Sequence, residues 1–364
     1  NIIVPGPYCG DGNINLPYEE CDDGNANNTD RCDNQCKKRT GGGGGNETWI
    51  WMCDHRLVFD DGTEPGRMTD DGQILWERMN NYAFEGEQIS WKVLVMDKNG
   101  KEKIEDVFAT IGEVRGVGND IEVNCVRSNE RPERIPDSCN ARILEEKLTE
   151  FDENTMAFYK CTFTVETPDS MYGEYWITVE ALGRDGLSVT MDENEYWFLN
   201  PEIALSIEGN LVFENARPGT SSYSDTLLVE NDADRDSGVM LDMFISGTDF
   251  YDSSSSGAMC PTTNQLALEN FRYYVTHGAY SSQTDPRSDN EGYVPIGYGV
   301  GFNNPNLFYD GYEILMSGPK NFAYYQPNIL SPGSEMALTF RLNLPEPCNG
   351  DFDSGQIFFW GEAV

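Results

Sequence analysis

The sequence predicts a mainly β protein of 364 residues, in which a small disulfide-rich module precedes two β-sandwich domains. Three observations predict it. Ten cysteines, an even number, crowd the first forty residues and then scatter along the chain. Apolar residues beyond the module recur at every second position, the period of half-buried strands. A pentaglycine at 41–45 divides the module from the rest as a flexible linker.

The module spans 1–40 and holds Cys9, Cys21, Cys32 and Cys36. So short a segment cannot bury enough apolar surface to fold by collapse alone, and disulfides are the usual remedy. The carrying residues are Cys9-Gly10-Asp11-Gly12, then Glu19-Glu20-Cys21-Asp22-Asp23-Gly24-Asn25, then Asp30, Cys32 and Cys36. This run resembles the myxococcal-type cysteine-rich disulfide repeat of bacterial and archaeal surface proteins, over about a tenth of the chain. The resemblance implies a secreted or cell-surface protein and implies no chemistry.

After the linker (41–48), residues 49–200 read as an immunoglobulin-like β-sandwich. Ile89, Trp91, Val93 and Val95 alternate, and Asn99-Gly100 supplies a hairpin turn. Cys161, Phe163 and Val165 share one strand face; Tyr175, Ile177, Val179 and Ala181 share another. A short helix is expected near 140–151, where Leu144, Leu148 and Phe151 fall on one side. The immunoglobulin cysteine-tryptophan-cysteine spacing is absent, so the expectation concerns architecture only. The Asn200-Pro201 step marks the boundary, because a residue before proline is pushed to extended conformations.

Residues 201–364 repeat the style. A Pro218-Gly219-Thr220 turn precedes Leu227 and Val229; a polar turn at 231–238 leads to Val239, Leu241, Met243 and Ile245. A turn at 331–334 precedes Met336, Leu338, Phe340, Leu342 and Leu344, and the chain closes on Ile357-Phe358-Phe359-Trp360. This order of turns and strands resembles the jelly-roll domain of the camelysin and TasA family, whose members build extracellular fibres. The resemblance implies a jelly-roll-like β-sandwich and makes donor-strand exchange between subunits plausible.

Charge and cysteine usage bound the function. With 62 acidic and 25 basic residues the net charge is −37, which argues against nucleic acid and against anionic lipid. No apolar stretch approaches the ~20 residues that span a bilayer. No C-x-x-C occurs, and an oxidising compartment is the expected setting. The sequons at Asn27 and Asn46 fit glycosylation there. The sequence begins at Asn1 without a signal peptide, so a mature, processed form is expected. Five disulfides are expected: two within the module, Cys125 with Cys139 around a proline-containing loop, Cys53 with Cys161, and Cys260 with Cys348 by elimination.

Chemistry-bearing motifs are few. Gly-x-Ser-x-Gly, His-Glu-x-x-His, Walker and dinucleotide fingerprints are all absent, and His55 and His277 lie far apart. Asp232, Asp234 and Asp236 could present oxygens to one calcium, with Gly238 giving the bend. The alternative, a solvated turn, is preferred because the spacing departs from the familiar calcium loop by one residue. Asp11, Glu20, Asp22, Asp23 and Asp30 form a weaker cluster. An irregular aromatic stretch from 271 to 325, including Tyr273, Tyr274, Tyr280, Tyr293, Tyr298 and Tyr312, suits a protein interface or sugar stacking.

These features lead to an extracellular structural subunit, of a filament or surface layer, whose partners are identical subunits. Ile2, Ile3 and Val4 would add as a strand to a neighbour's sheet. The alternative is a surface adhesin binding glycans or another cell through the aromatic stretch. A secreted carbohydrate-active enzyme is a third reading, because a glycosidase needs only two carboxylates.

Overall fold

The computed structural model describes residues 48–60, 75–78, 80–116, 118–140, 150–184, 186–191, 195–299, 311–321 and 324–364. The cysteine module with its acidic cluster, the pentaglycine, both sequons and Ile2, Ile3 and Val4 lie outside the described residues.

The protein is mainly β. Its first unit contains β1 (Thr48–Asp60), β2 (Leu75–Arg78), β3 (Tyr82–Ala83), β4 (Gln88–Asp97), β5 (Ile104–Gly112), β6 (Ile121–Arg127), β7 (Met156–Thr164), β8 (Gly173–Gly183), β9 (Ser188–Thr190) and β10 (Glu195–Leu199). They pair in the order β2-β1-β4-β7-β6-β5-β8-β10-β3, with β9 beside β8. The path is not flat. Ile121 and Asn124 of β6 pair with β5, whereas Cys125 and Arg127 pair with β7. A strand that changes sheet in this way makes the corner of a sandwich. Across that corner Trp91, Val93 and Val95 on β4 join Val107 and Ala109 on β5 and Tyr175, Ile177, Val179 and Ala181 on β8 in one buried cluster. Period-two alternation therefore identified these inward faces correctly.

The Asn99-Gly100 turn forms, with Gly100 at φ 114, where a side chain would be strained. It does not close a hairpin, which corrects the sequence expectation. Both edges of β4 are already occupied by β1 and β7, so the chain crosses to the opposite half before β5 begins. The second face of β4 is apolar too. Leu94 and Met96 pack with Met156, Phe158, Ile135, Cys53 and Cys139, and Phe151 stacks on Phe158 at 5.3 Å. In the region of the expected helix, α1 (Asp137–Asn140) is helical, and 141–149 lie outside the described residues.

Two expected disulfides are re-paired. Cys125 bonds to Cys161, and Cys53 to Cys139. The reason is positional. Cys125 and Cys161 face each other in register on β6 and β7, inside the main core. Cys53 follows the inward Met52 and so faces the other way, where the segment carrying Cys139 covers the sheet. Cys260–Cys348 forms as expected, and no described cysteine is free.

The second unit contains β11 (Leu205–Glu208), β12 (Ser221–Asn231), β13 (Leu241–Gly247), β14 (Phe250–Tyr251), β15 (Gln265–Leu266), β16 (Phe271–His277), β17 (Tyr280–Ser281), β18 (Val294–Pro295), β19 (Gly297–Tyr298), β20 (Lys320–Asn321), β21 (Tyr324–Tyr325), β22 (Ile329–Leu330), β23 (Glu335–Asn343) and β24 (Ile357–Ala363). One sheet runs β11-β12-β23-β16-β17, with β18 beside β16. The other centres on β13, flanked by β24 on one side and by β22 and β19 on the other. Leu227 and Val229, Leu241, Met243 and Ile245, and Met336, Leu338, Phe340 and Leu342 close one core between them. This unit is also a β-sandwich.

A buried polar network braces that core. Arg287 donates through Nε and Nη2 to both carboxylate oxygens of Asp285, and through Nη2 to the carbonyl of Glu313. Asp285 also accepts from the Met316 amide, while Tyr273 donates to the Ile314 carbonyl at 2.7 Å. Asn328 donates to Asp242 and to the Met243 carbonyl, both at 2.7 Å. Together these bonds hold 313–316 to Tyr273, Asp285 and Arg287 and 328 to β13, satisfying main-chain groups that no regular strand covers.

The two units are joined by shared packing. Tyr82 and Phe198 belong by sequence to the first unit but pack into the core of the second. Tyr82 Oη and Asn80 Nδ2 both donate to the carbonyl of Val364. Asn200 is not extended as expected: its φ is 50, a left-handed value that asparagine tolerates better than most residues. Its side chain donates to the carbonyls of Glu166 and Met171, which holds the crossover in place.

Candidate functional site

The turn at 231–238 lies at this joint. Asp234 accepts from the Tyr172 hydroxyl at 2.9 Å and from the Glu202 amide at 3.4 Å. The carbonyl of Asp236 accepts from Tyr196, whose hydroxyl also bonds Glu174. Burial, with the charge of Glu174 beside it, pushes the Tyr196 phenol up to about 12, so it stays a donor across the ordinary pH range. Asp232, Asp234 and Asp236 do not converge, which corrects the calcium expectation. Among the described residues no group of three or more His, Cys, Asp or Glu side chains lies close enough to hold a metal ion. The turn is instead an acceptor for tyrosines of the first unit.

The aromatic stretch divides by strand alternation. Phe271, Tyr273 and Val275 of β16 point into the core, whereas Arg272 and Tyr274 face outward and are half-buried. On the neighbouring strands Tyr223 of β12 lies opposite Arg341 of β23, and Arg341 lies opposite Arg272. The loop before β18 folds back over this row, bringing Asp289, Glu291 and Tyr293 with it. The centroid of the Tyr293 ring lies 5.9 Å from that of Tyr223 and 5.7 Å from that of Tyr274, and the Arg341 guanidinium sits 4.5 Å from its centre.

Charge balance explains why two arginines can stand side by side here. Arg341 pairs with Glu291 at 2.6 Å and with Asp289. Asp289 also lies 3.8 Å from Arg272, which donates to the Tyr293 carbonyl. Burial pushes the Asp289 carboxyl up, but the Arg341 hydrogen bond and the amides of Tyr293 and Glu291 outweigh it and hold the group below its usual range. The result is an outward face of three tyrosines and Arg272, with Arg341 buried beneath the Tyr293 ring. Tyr223, at one end of it, is 51% exposed. Ile203, Ile207, Leu211 and Val212 are exposed around the edge strand β11.

Of the other sequence-singled residues, Tyr280 and Tyr298 are exposed, and Tyr312 donates to the Tyr298 carbonyl. His277 Nδ1 lies 2.7 Å from the Pro327 carbonyl, a structural contact. Tyr223 and Arg341 were missed by sequence reasoning, because they lie outside the stretch and reach it only through strand pairing. The alternation of Arg272 and Tyr274 against Phe271, Tyr273 and Val275 was the available signal.

Comparison with known proteins gives distant likenesses only. No protein-family model matches the sequence, and no curated protein does. Among solved structures, the BspA C-terminal domain of the Streptococcus agalactiae AgI/II polypeptide aligns over 87% of this chain and 97% of that one, at 10% identity and a TM-score of 0.30. The sialic acid binding region of a Streptococcus sanguinis SK1 adhesin aligns over 76% of this chain and 74% of that one, at 10% identity and a TM-score of 0.20. The secreted serine protease VesC from Vibrio cholerae aligns over 76% and 49%, at 8% identity and a TM-score of 0.19. Likeness at this level carries no argument about function.

Proposed function

We propose that this chain is an extracellular surface protein that works by adhesion, using the outward face of Tyr223, Tyr274, Tyr293 and Arg272. The observation that carries this reading is the composition of that face. Tyrosine and arginine are the residues most enriched where proteins bind partners, because each offers broad apolar contact and a polar tip at small entropic cost. Arg341, buried beneath the Tyr293 ring and paired with Asp289 and Glu291, fixes that ring before any ligand arrives.

Three disulfides support an oxidising compartment. No helix among the described residues is long and apolar enough to cross a membrane. Binding rather than catalysis is the favoured role. A glycosidase needs one carboxyl group held protonated near neutral pH. Asp353, beside the cleft lined by Phe213, Phe250, Phe271 and Phe352, is shifted the other way: hydrogen bonds from Ser253 hold it below the usual carboxylate range.

The test is binding of the labelled chain to intact cells and to a glycan array. Saturable binding that Tyr223→Ala and Tyr274→Ala together abolish, with the melting temperature unchanged, supports adhesion through this face.

A second reading, self-assembly into a fibre or layer, is favoured by β11. Among the described residues this strand pairs on one side only, and Ile207 within it is 47% exposed. An open edge of this kind invites strand addition from another copy. Concentration-dependent polymers seen by electron microscopy, and lost on substituting Ile207→Lys, would favour it.

A further inference from the structure

A second surface feature lies at the end of the second sandwich. Between the β14–β15 hairpin and the segment after Cys348 opens a cleft of about 390 Å³. Its walls are aromatic: Phe213, Phe250, Phe271 and Phe352. Phe250 and Phe271 pack at 4.9 Å between centroids, and Phe213 meets Phe271 edge-on at 5.9 Å. Among the described residues, Asp351 and Asp353 are the only polar side chains that line it, and no basic side chain does.

The lip that carries these aspartates is built rigidly. The Cys260–Cys348 bridge anchors its start, and Met259 and Asn349 exchange main-chain hydrogen bonds at 2.9 and 3.0 Å. Tyr251 and Ser354 do the same at its far end, at 2.7 and 3.0 Å. Asp353 clasps the amide and hydroxyl of Ser253, both at 2.8 Å. Gly350 approaches Ala258 so closely that a Cβ there would lie 2.5 Å from the Ala258 backbone. The geometry of the cleft is therefore set before any ligand enters, which lowers the entropic cost of binding.

The chemistry of the lining selects the ligand. Carboxylates accept hydrogen bonds and donate none. A sugar, whose hydroxyls both donate and accept, would leave its acceptors unmatched by these side chains. A ligand that only donates matches them fully. Phenyl faces carry negative potential and attract cations, and four rings accommodate an apolar stem. Charge points the same way, because the chain carries a net charge of −37.

We propose that this cleft captures a lysine or arginine side chain of a partner protein, its stem against Phe213, Phe250 and Phe271 and its cationic head at Asp351 and Asp353. The assignment deepens the adhesive reading and rests on it, by naming the chemistry of one partner group at a place separate from the tyrosine–arginine face.

The test uses single-cation probes on the whole chain, followed by amide NMR. Nα-acetyl-lysine methylamide should shift the amides of Gly350, Asp351, Phe352 and Leu211 saturably. The uncharged norleucine analogue and free glucose should not. Asp351→Asn, at an exposed position, should weaken binding about tenfold, the scale of one charge-assisted hydrogen bond. Equal response to norleucine, a response to glucose at these amides, or no response to lysine would overturn the proposal. If cells still bind the chain while lysine gives no response, the cleft assignment fails and the adhesive reading stands.

Discussion

The hydroxyl of Tyr82 donates to the carbonyl of Val364 at 2.6 Å, joining residues 282 apart in sequence. Asn80 donates to the same oxygen. Through this contact the start of the first sandwich is fastened to the last strand of the second. Tyr82 is fully buried, so the bond is shielded from competing water.

Removal of that hydroxyl should cost measurable stability. Tyr82→Phe leaves the ring in place and deletes one buried hydrogen bond, worth about 1 kcal/mol. Tyr82→Ala also opens a cavity and should cost about 3–5 kcal/mol. Calorimetry should show one joint transition in the wild type and two separated transitions in Tyr82→Ala. A single unshifted transition in Tyr82→Ala would show that the joint carries no coupling.

The salt bridge inside the second core should behave as a buried pair. Asp285 is buried and bonded by Arg287 through two nitrogens. Arg287→Met strands that carboxylate and should destabilise by about 3–5 kcal/mol. Replacement of both residues by apolar ones should cost less than the single change. Urea denaturation of the wild type and the two variants measures this.

Disulfide pairing is open to direct mapping. Non-reducing proteolysis should yield linked peptides containing Cys125 with Cys161 and Cys53 with Cys139. Removal of the Cys125–Cys161 bridge by a double alanine substitution should cost about 2–5 kcal/mol. Peptides linking Cys125 to Cys139 would contradict the packing described for both faces of the β1-β4-β7 sheet.

Stability should fall at both pH extremes for identifiable reasons. Asp289 titrates below its usual range when folded, so its contribution is present above the ordinary carboxylate value and is lost as pH falls through the folded one. Tyr196 is raised to about 12, so its contribution is present below the ordinary phenol value and is lost as pH rises toward 12. Asp289→Asn should flatten part of the acid limb, and Tyr196→Phe part of the alkaline limb, in melting profiles taken across pH.

The inward faces of the strands were legible because burial on one side leaves a period of two. Tyr175, Ile177, Val179 and Ala181, and Met336, Leu338, Phe340 and Leu342, could be read directly. Partner choice could not. Whether Asn99-Gly100 closes a hairpin depends on which strands already flank β4, and that is settled by residues far along the chain. The pairing of Cys53, Cys125, Cys139 and Cys161 failed for the same reason, since the sheet change within β6 puts Cys125 opposite Cys161, whereas Cys260–Cys348 was read correctly. The outward tyrosine–arginine face was half legible. Arg272 and Tyr274 alternate with core residues, but Tyr223 and Arg341 lie 118 positions apart and meet only by register.

The central claim, adhesion through that face, is tested most directly by flow cytometry of the labelled chain on intact cells. The account predicts saturable binding by the wild type. It predicts loss of binding in the Tyr223→Ala, Tyr274→Ala double variant, with an unchanged melting temperature. Equal binding by that variant, or no binding by the wild type, would contradict it.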